Sequence, residues 1–264
     1  MDFRPINSDH AVQSASFSLI LDGPISPAAV QALSRRRDLI AELPAVQNPE
    51  AFEFNMGASG AAPQPKRMSG VQLAHLRPDG TPAWALRMMG PELAVDCSRY
   101  TRWARIWDTA RGYLEGGIRA IVDAGVRRKV AVLGHVVADQ FEASRANYDL
   151  RDALRENRFL ASMAFGAGAT WHNHVGWFEP VHDSSRSWLN QLNIDVFREP
   201  TTARLLLQIT HNQEIRLQPP VDIENISDLI DETMNALHSQ NKRVLGDILT
   251  NEMAKQIGLD LNGQ

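Results

Sequence analysis

WALRMMG (84–90), PELAVDC (91–97), SRYTRWARIWDTARGYLEGGIRAIVDAG (98–125) and VRRKVAVLGHVVADQF (126–141) follow one another without a break, and their reading decides the fold. Trp84, Leu86 and Met88 alternate with Ala85 and Arg87, the period of two that marks a half-buried strand. Leu93, Val95 and Cys97 repeat that pattern in a second strand. The spacing then becomes helical. Trp103, Ile106, Trp107, Ala110, Tyr113, Leu114, Ile118, Ile121 and Val122 fall on one broad stripe, and Gly125 stands where a helix cap belongs. A stripe with so much aromatic surface must be covered by a sheet or another helix. The strand over 130–141 is apolar on both faces, as a central strand is.

Toward the N-terminus, residues 1–14 read as an irregular lead-in, followed by a strand carrying Phe17, Leu19 and Leu21. Ser26 before Pro27 predicts an N-capped helix running to about residue 43. Arg35, Arg36 and Arg37 lie on it as a solvated face. A strand with Phe52, Phe54 and Met56 leads into GASGAAPQPKR (57–67), a loop composition. Two strands at 71–77 and 83–89 flank the turn Pro78-Asp79-Gly80.

Toward the C-terminus, a short polar helix is expected over 148–157, and strands at 170–178, 187–197, 203–210 and 213–217. His211-Asn212 sits where a hairpin turn belongs, and Pro219-Pro220 where the sheet breaks. A last helix runs over 226–245 and beyond Gly246. The expected architecture is α+β: antiparallel sheet backed by two long helices, in a single compact domain 1–264. Two lobes, about 15–125 and 126–257, share the order strand, helix, strands, helix.

With 264 residues the chain can bury a large core without disulfide or metal. The net charge of −4 argues against gripping nucleic acid through its phosphates. Cys97 is the only cysteine, which excludes an internal disulfide and a cysteine zinc cluster, and it alternates as a buried hydrophobe. The opening MDFRPINSDH is polar and no apolar run is long enough for a membrane span, so the expectation is a cytoplasmic protein with no membrane partner.

The most chemically loaded stretch is Thr170-Trp-His-Asn-His-Val-Gly-Trp-Phe178. On a strand, His172 and His174 share one face, and Trp171, Val175 and Trp177 the other. Joined by His182 and Asp183, the two histidines would supply a zinc or iron ligand set. The simpler expectation is that the tryptophans face the core, the histidines face solvent, and no metal or other cofactor is held. Neither a phosphate loop nor a GxSxG elbow occurs, which lowers the expectation of an enzyme. Trp103 and Trp107 are read as core rather than as a stacking platform.

Tyr100, preceded by the strand Leu93-Ala94-Val95 and followed by Trp103, together with KVAVLGHVVADQF (129–141) ending near Asp139, resembles a sporadically distributed, uncharacterised bacterial family of similar length. That family's pattern is an aliphatic strand, a Tyr, a Trp about three residues on, a helix, and a strand leading to Asn or Asp. The opening PINSDHAVQSASFSLIL (5–21) and the ending ALHSQNKRVLGDILTNEMAKQIGL (236–259) resemble the family's proline-led first strand and C-terminal helix. The chain departs from it at Gly134-His135, where an arginine-bearing strand is usual, and at Gly246, where a bulky aromatic is usual. The resemblance implies a shared fold and carries over no catalytic residue. Its patchy distribution points to mobile or phage-defence gene sets.

The resulting expectation is a non-catalytic binding or accessory protein engaging a macromolecular partner, most simply another protein, with self-association left open. The alternatives are a metal-dependent hydrolase or oxygenase using His172, His174 and His182, and a small-ligand binder with a cavity between sheet and helix.

Overall fold

The computed structural model describes residues 2–54, 65–181 and 187–259. Over these residues strands and helices form an α+β fold. The supposed lead-in holds β1 (Phe3–Pro5) and the start of β2 (Val12–Leu21). Buried Phe3 anchors β1, which pairs antiparallel with residues 141–143. The helix expected over 27–43 is two, α1 (Pro27–Leu33) and α2 (Arg37–Glu42). Ser26 caps α1 as predicted, its Oγ accepting from the Ala29 N–H at 3.2 Å. Arg36 is extended between the two helices, and its guanidinium pairs with Asp38 at 2.6 Å and Asp123 at 3.6 Å.

Next come β3 (Ala45–Gln47), β4 (Glu50–Phe54), β5 (Pro65–Ser69), β6 (Val71–Leu76), β7 (Pro82–Met89) and β8 (Glu92–Cys97). Most of the 57–67 loop lies outside the described residues, but its last three residues open β5. The hairpin turn is where it was expected: Gly80 takes φ +83°, and Asp79 accepts from the Thr81 N–H at 2.9 Å.

α3 (Trp103–Asp123) leads through Gly125, at φ +70°, into β9 (Lys129–Ala143). The expected helix over 148–157 is only a 3-10 turn, Leu150–Asp152, followed by a second at Ser162–Gly166. The chain closes with β10 (Trp171–Pro180), β11 (Ser187–Arg198), β12 (Leu205–Asp222), α4 (Ser227–Ile248) and α5 (Asn251–Gln256).

β12 overturns a sequence expectation. The two strands thought to meet in a turn at His211-Asn212 are one strand of 18 residues. Its register against β11 runs unbroken through Gln191↔Asn212 and Leu192↔His211. His211 does not need a turn, because both ring nitrogens find side-chain partners inside the fold. The strand also continues through Pro219-Pro220, where a break was expected.

Ten strands make one open antiparallel sheet in the order β10-β11-β12-β9-β2-β8-β7-β6-β3, with β1 added on β9; β4 and β5 form a separate hairpin. The chain divides into two compact units, Met1–Ser16 with Gly134–Arg216 and Ile230–Gln264, and Phe17–Leu133 with Leu217–Leu229.

In the second unit α3 lies on β7 and β8. Trp103 and Trp107 of its stripe lean on Phe17 of β2, at 5.9 and 5.4 Å between ring centres, and Tyr113 meets Trp84 edge-on at 5.7 Å. Gly116 and Gly117 let the helix come close: a Cβ on Gly117 would stand 2.6 Å from Leu93 Cδ1, and one on Gly116 2.9 Å from Leu39 Cδ2. Cys97 is buried as its alternation predicts, and burial pushes its thiol up to about 11.

In the first unit the core joins Phe141 of β9, Leu192, Ile194 and Val196 of β11, and Leu205, Leu207 and Ile209 of β12 to Val244, Leu245 and Ile248 of α4. The helices and the segment 150–164 therefore cover one face of β10–β12.

Candidate functional site

Strand alternation gives β10, β11 and β12 an inner face toward that core and an outer face away from it. The inner face takes Trp171, Val175 and Trp177 of β10, as the simpler expectation had it. The outer face presents side chains in cross-strand rows: His172–Asp195–Gln208, His174–Asn193–Thr210, Gly176–Gln191–Asn212 and Phe178–Leu189–Glu214.

The rows are tied by side chains. His172 Nδ1 meets Asp195 Oδ1 in a short contact across the first two strands. Gln140 Nε2 donates to Gln208 Oε1 at 3.3 Å, Gln208 Nε2 to Thr210 Oγ1 at 3.1 Å, and Asn212 Nδ2 to Gln191 Oε1 at 2.8 Å. Asn193 Oδ1 is enclosed among them with no hydrogen-bond partner among the described residues. The face is rich in amides and holds its side chains in fixed positions. Its β12 and β11 residues are half-buried, its β10 residues are exposed, and Phe178 is 73% exposed. In these rows the charges are the carboxylates Asp195 and Glu214, and Arg216 follows on the same side of β12, so the face is of mixed charge and lacks the positive field a polyphosphate strand needs.

The inner face carries a second polar group, beneath α4. His211 Nδ1 lies 2.9 Å from Asn241 Oδ1 and its Nε2 3.1 Å from Asn190 Oδ1. Burial holds this imidazole down to about 4, so it is neutral at pH 7 and carries a single N–H. One of the two amides must therefore turn its NH2 to the ring. Turning Asn190 does this with Nδ2, which otherwise has no partner among the described residues. The Trp177 indole stacks on His211 at 5.8 Å and 14°. Gln240 of α4 donates to Glu179 of β10 in a short hydrogen bond, and Arg243 to Gln240.

His135 of β9 is fully buried beside this group. Burial first, then His238 and His211, hold it down to about 3, with Gln213 opposing. His238 of α4 is held at about 4 by burial and by Lys242. Asp139, two residues further along the inner face of β9 from Val137, is pushed up to about 7 by burial. The group pins the edge strand to α4 through polar contacts rather than through apolar packing alone.

Of the sequence-derived metal set, the structure places His172 and His174 two residues apart on the exposed outer face, as alternation required. His182 and Asp183 lie outside the described residues. Among the described residues no three His, Cys, Asp or Glu side chains are grouped so as to hold a metal. The carboxylate that does meet His172 is Asp195, which sequence reasoning missed because the pairing exists only in the β10–β11 register. It also missed His135, His211 and Asn190, and an isolated polar residue in an otherwise apolar alternation was the available signal. No helix of the described residues is long and apolar enough to cross a membrane. No protein-family model, curated protein or solved structure matches this chain.

Proposed function

We propose that the chain is a non-catalytic binding or accessory protein, and that its partner is another protein seated on the outer face of β10, β11 and β12. One observation carries this reading: a three-strand face of fixed amide, hydroxyl and imidazole groups with an exposed phenylalanine at one end. Such a face offers directional hydrogen bonds with little ordering cost on binding, plus one aromatic anchor. Its mixed charge, two carboxylates with Arg216, favours a protein surface over nucleic acid. The resemblance carried by Tyr100, Trp103 and Asp139 supplies the setting, a mobile or phage-defence gene set.

We also read the fold as two lobes of the same order. β2, α1 with α2, β6–β8 and α3 make one; β9, the two 3-10 turns, β10–β12 and α4 make the other. The strand order supports this, with β9 and β2 adjacent, β9 followed outward by β12, β11 and β10, and β2 by β8, β7 and β6 before the short β3.

The test is capture of partners from the native cell by the wild type and by Gln191→Arg with Thr210→Arg, whose side chains point outward. A protein held by the wild type and lost from the variant, with the variant's circular dichroism unchanged, supports the reading. Identical captured sets refute it. The second reading, a metal-dependent hydrolase or oxygenase, is favoured by His172, His174 and Asp195 sharing that exposed face, and metal analysis decides it.

A further inference from the structure

We propose that β10 is a self-association edge, along which a second copy of this chain pairs antiparallel with the first to continue the sheet. Unpaired strand edges are usually guarded by shortness, lysine, proline or a bulge. The opposite end of the sheet is guarded, since β3 is only three residues long. β10 is not. It is ten residues long, has β11 as its only strand neighbour among the described residues, and keeps an unbroken ten-pair register with it. Its one proline, Pro180, is the last residue of the strand, and 171–179 contain no lysine or arginine.

Burial points the same way. Trp171, Val175 and Trp177 face the core but remain half-buried, whereas Leu192, Ile194 and Val196 beside them on β11 are at most 1% exposed. A further strand would finish covering the three, and Phe178 on the other face has no cover at 73% exposure. The strand is also self-complementary. A two-fold axis through Gly176 sets His174 opposite Phe178 of the second copy and Val175 opposite its Trp177. Asn173 then faces its Glu179. No charge meets a like charge, and aromatic cross-strand pairs form on both faces. The glycine at the axis leaves room for two backbones to approach. A ten-residue edge is about 33 Å long and by itself makes a modest interface, so the association depends on concentration.

The experiment is sedimentation equilibrium of the full chain over a wide concentration range, beside a variant carrying His174→Lys and Phe178→Lys. Both positions are exposed, so the fold should survive, and circular dichroism and Tm check that it does. Across the proposed axis the two lysines oppose each other. The wild type is expected to shift toward twice the monomer mass as concentration rises, and the variant to stay monomeric throughout. Hydrogen exchange should show alternate amides of 171–180 gaining protection in the concentrated wild type. A wild type that remains monomeric, or a dimer that persists in the variant or leaves those amides unprotected, overturns the proposal. Phe178 belongs to the proposed partner face as well, but sedimentation reads the purified chain with no partner present, so its outcome is separable from partner capture.

Discussion

Buried ionisable groups set how this protein should respond to pH. His135, His211 and His238 are held neutral in the fold, at about 3, 4 and 4. In the unfolded chain each binds its proton at about 6.5. Between pH 6.5 and 4 the unfolded state therefore takes up protons that the folded state refuses, and stability falls as pH falls. Asp139 opposes them. In the fold it keeps its proton up to about 7, and in the unfolded chain only to about 3.9, so its contribution weakens as pH rises. Three imidazoles outweigh one carboxyl, and Tm is expected to rise from pH 4 to pH 6.5. Asp139→Asn should steepen that rise and leave the variant more stable than the wild type at pH 8. A Tm that is flat or falling over pH 4–6.5 contradicts this. An Asn suits that position because a protonated Asp is close to Asn in shape and charge.

His172 and His174 belong to the same scale. They point away from the core and are expected to hold no stoichiometric metal in protein purified without an affinity tag. His172→Ala with His174→Ala should leave the fold intact. Elemental analysis finding near one zinc or iron per chain, lost in that variant, would select the enzyme reading instead.

At the scale of elements, α3 and its seat are the part most legible in sequence. Its stripe of nine apolar positions repeats at helical spacing, and Leu86, Met88, Leu93, Val95 and Cys97 alternate and are buried, so there local pattern and tertiary burial agree. Trp107 is 5% exposed and wedged between Phe17 and Trp103. Trp107→Ala should destabilise by about 3–5 kcal/mol in chemical denaturation. Gly117→Ala tests the closeness of the helix to β8. Helix propensity alone would favour alanine by about 1 kcal/mol, but the new methyl meets Leu93 in a fully buried position. The expected sign is a loss of about 1–3 kcal/mol, and a gain in Tm would show that the packing yields.

β12 shows where sequence legibility ends. His211-Asn212 resembles a turn only while its partners are unknown. Asn190 and Asn241, 21 and 30 residues away, are what let a histidine sit inside a strand. The break between α1 and α2 is more local: Arg36 turns to Asp38, two residues on, at 2.6 Å, with Asp123 a second partner at 3.6 Å.

For the whole molecule, the α+β class and the antiparallel strands were readable, and the strand order was not. Hairpins such as β6–β7–β8 and β10–β11–β12 follow from short connections. The neighbours β9 and β2 are more than a hundred residues apart, and alternation carries no information about such a choice. The same limit applies to the candidate site. The facing of His172 and His174 was visible on a single strand, whereas the rows linking them to Asp195, Asn193, Gln208 and Thr210 arise only when three strands align. The proposed protein-binding surface is the outer face of β10–β12. Its most direct test is hydrogen exchange of the chain alone and in complex with the protein captured by the wild type. Protection concentrated in 171–180, 187–198 and 205–216 is predicted, and protection confined to α3, α1 or the β6–β8 strands would contradict it.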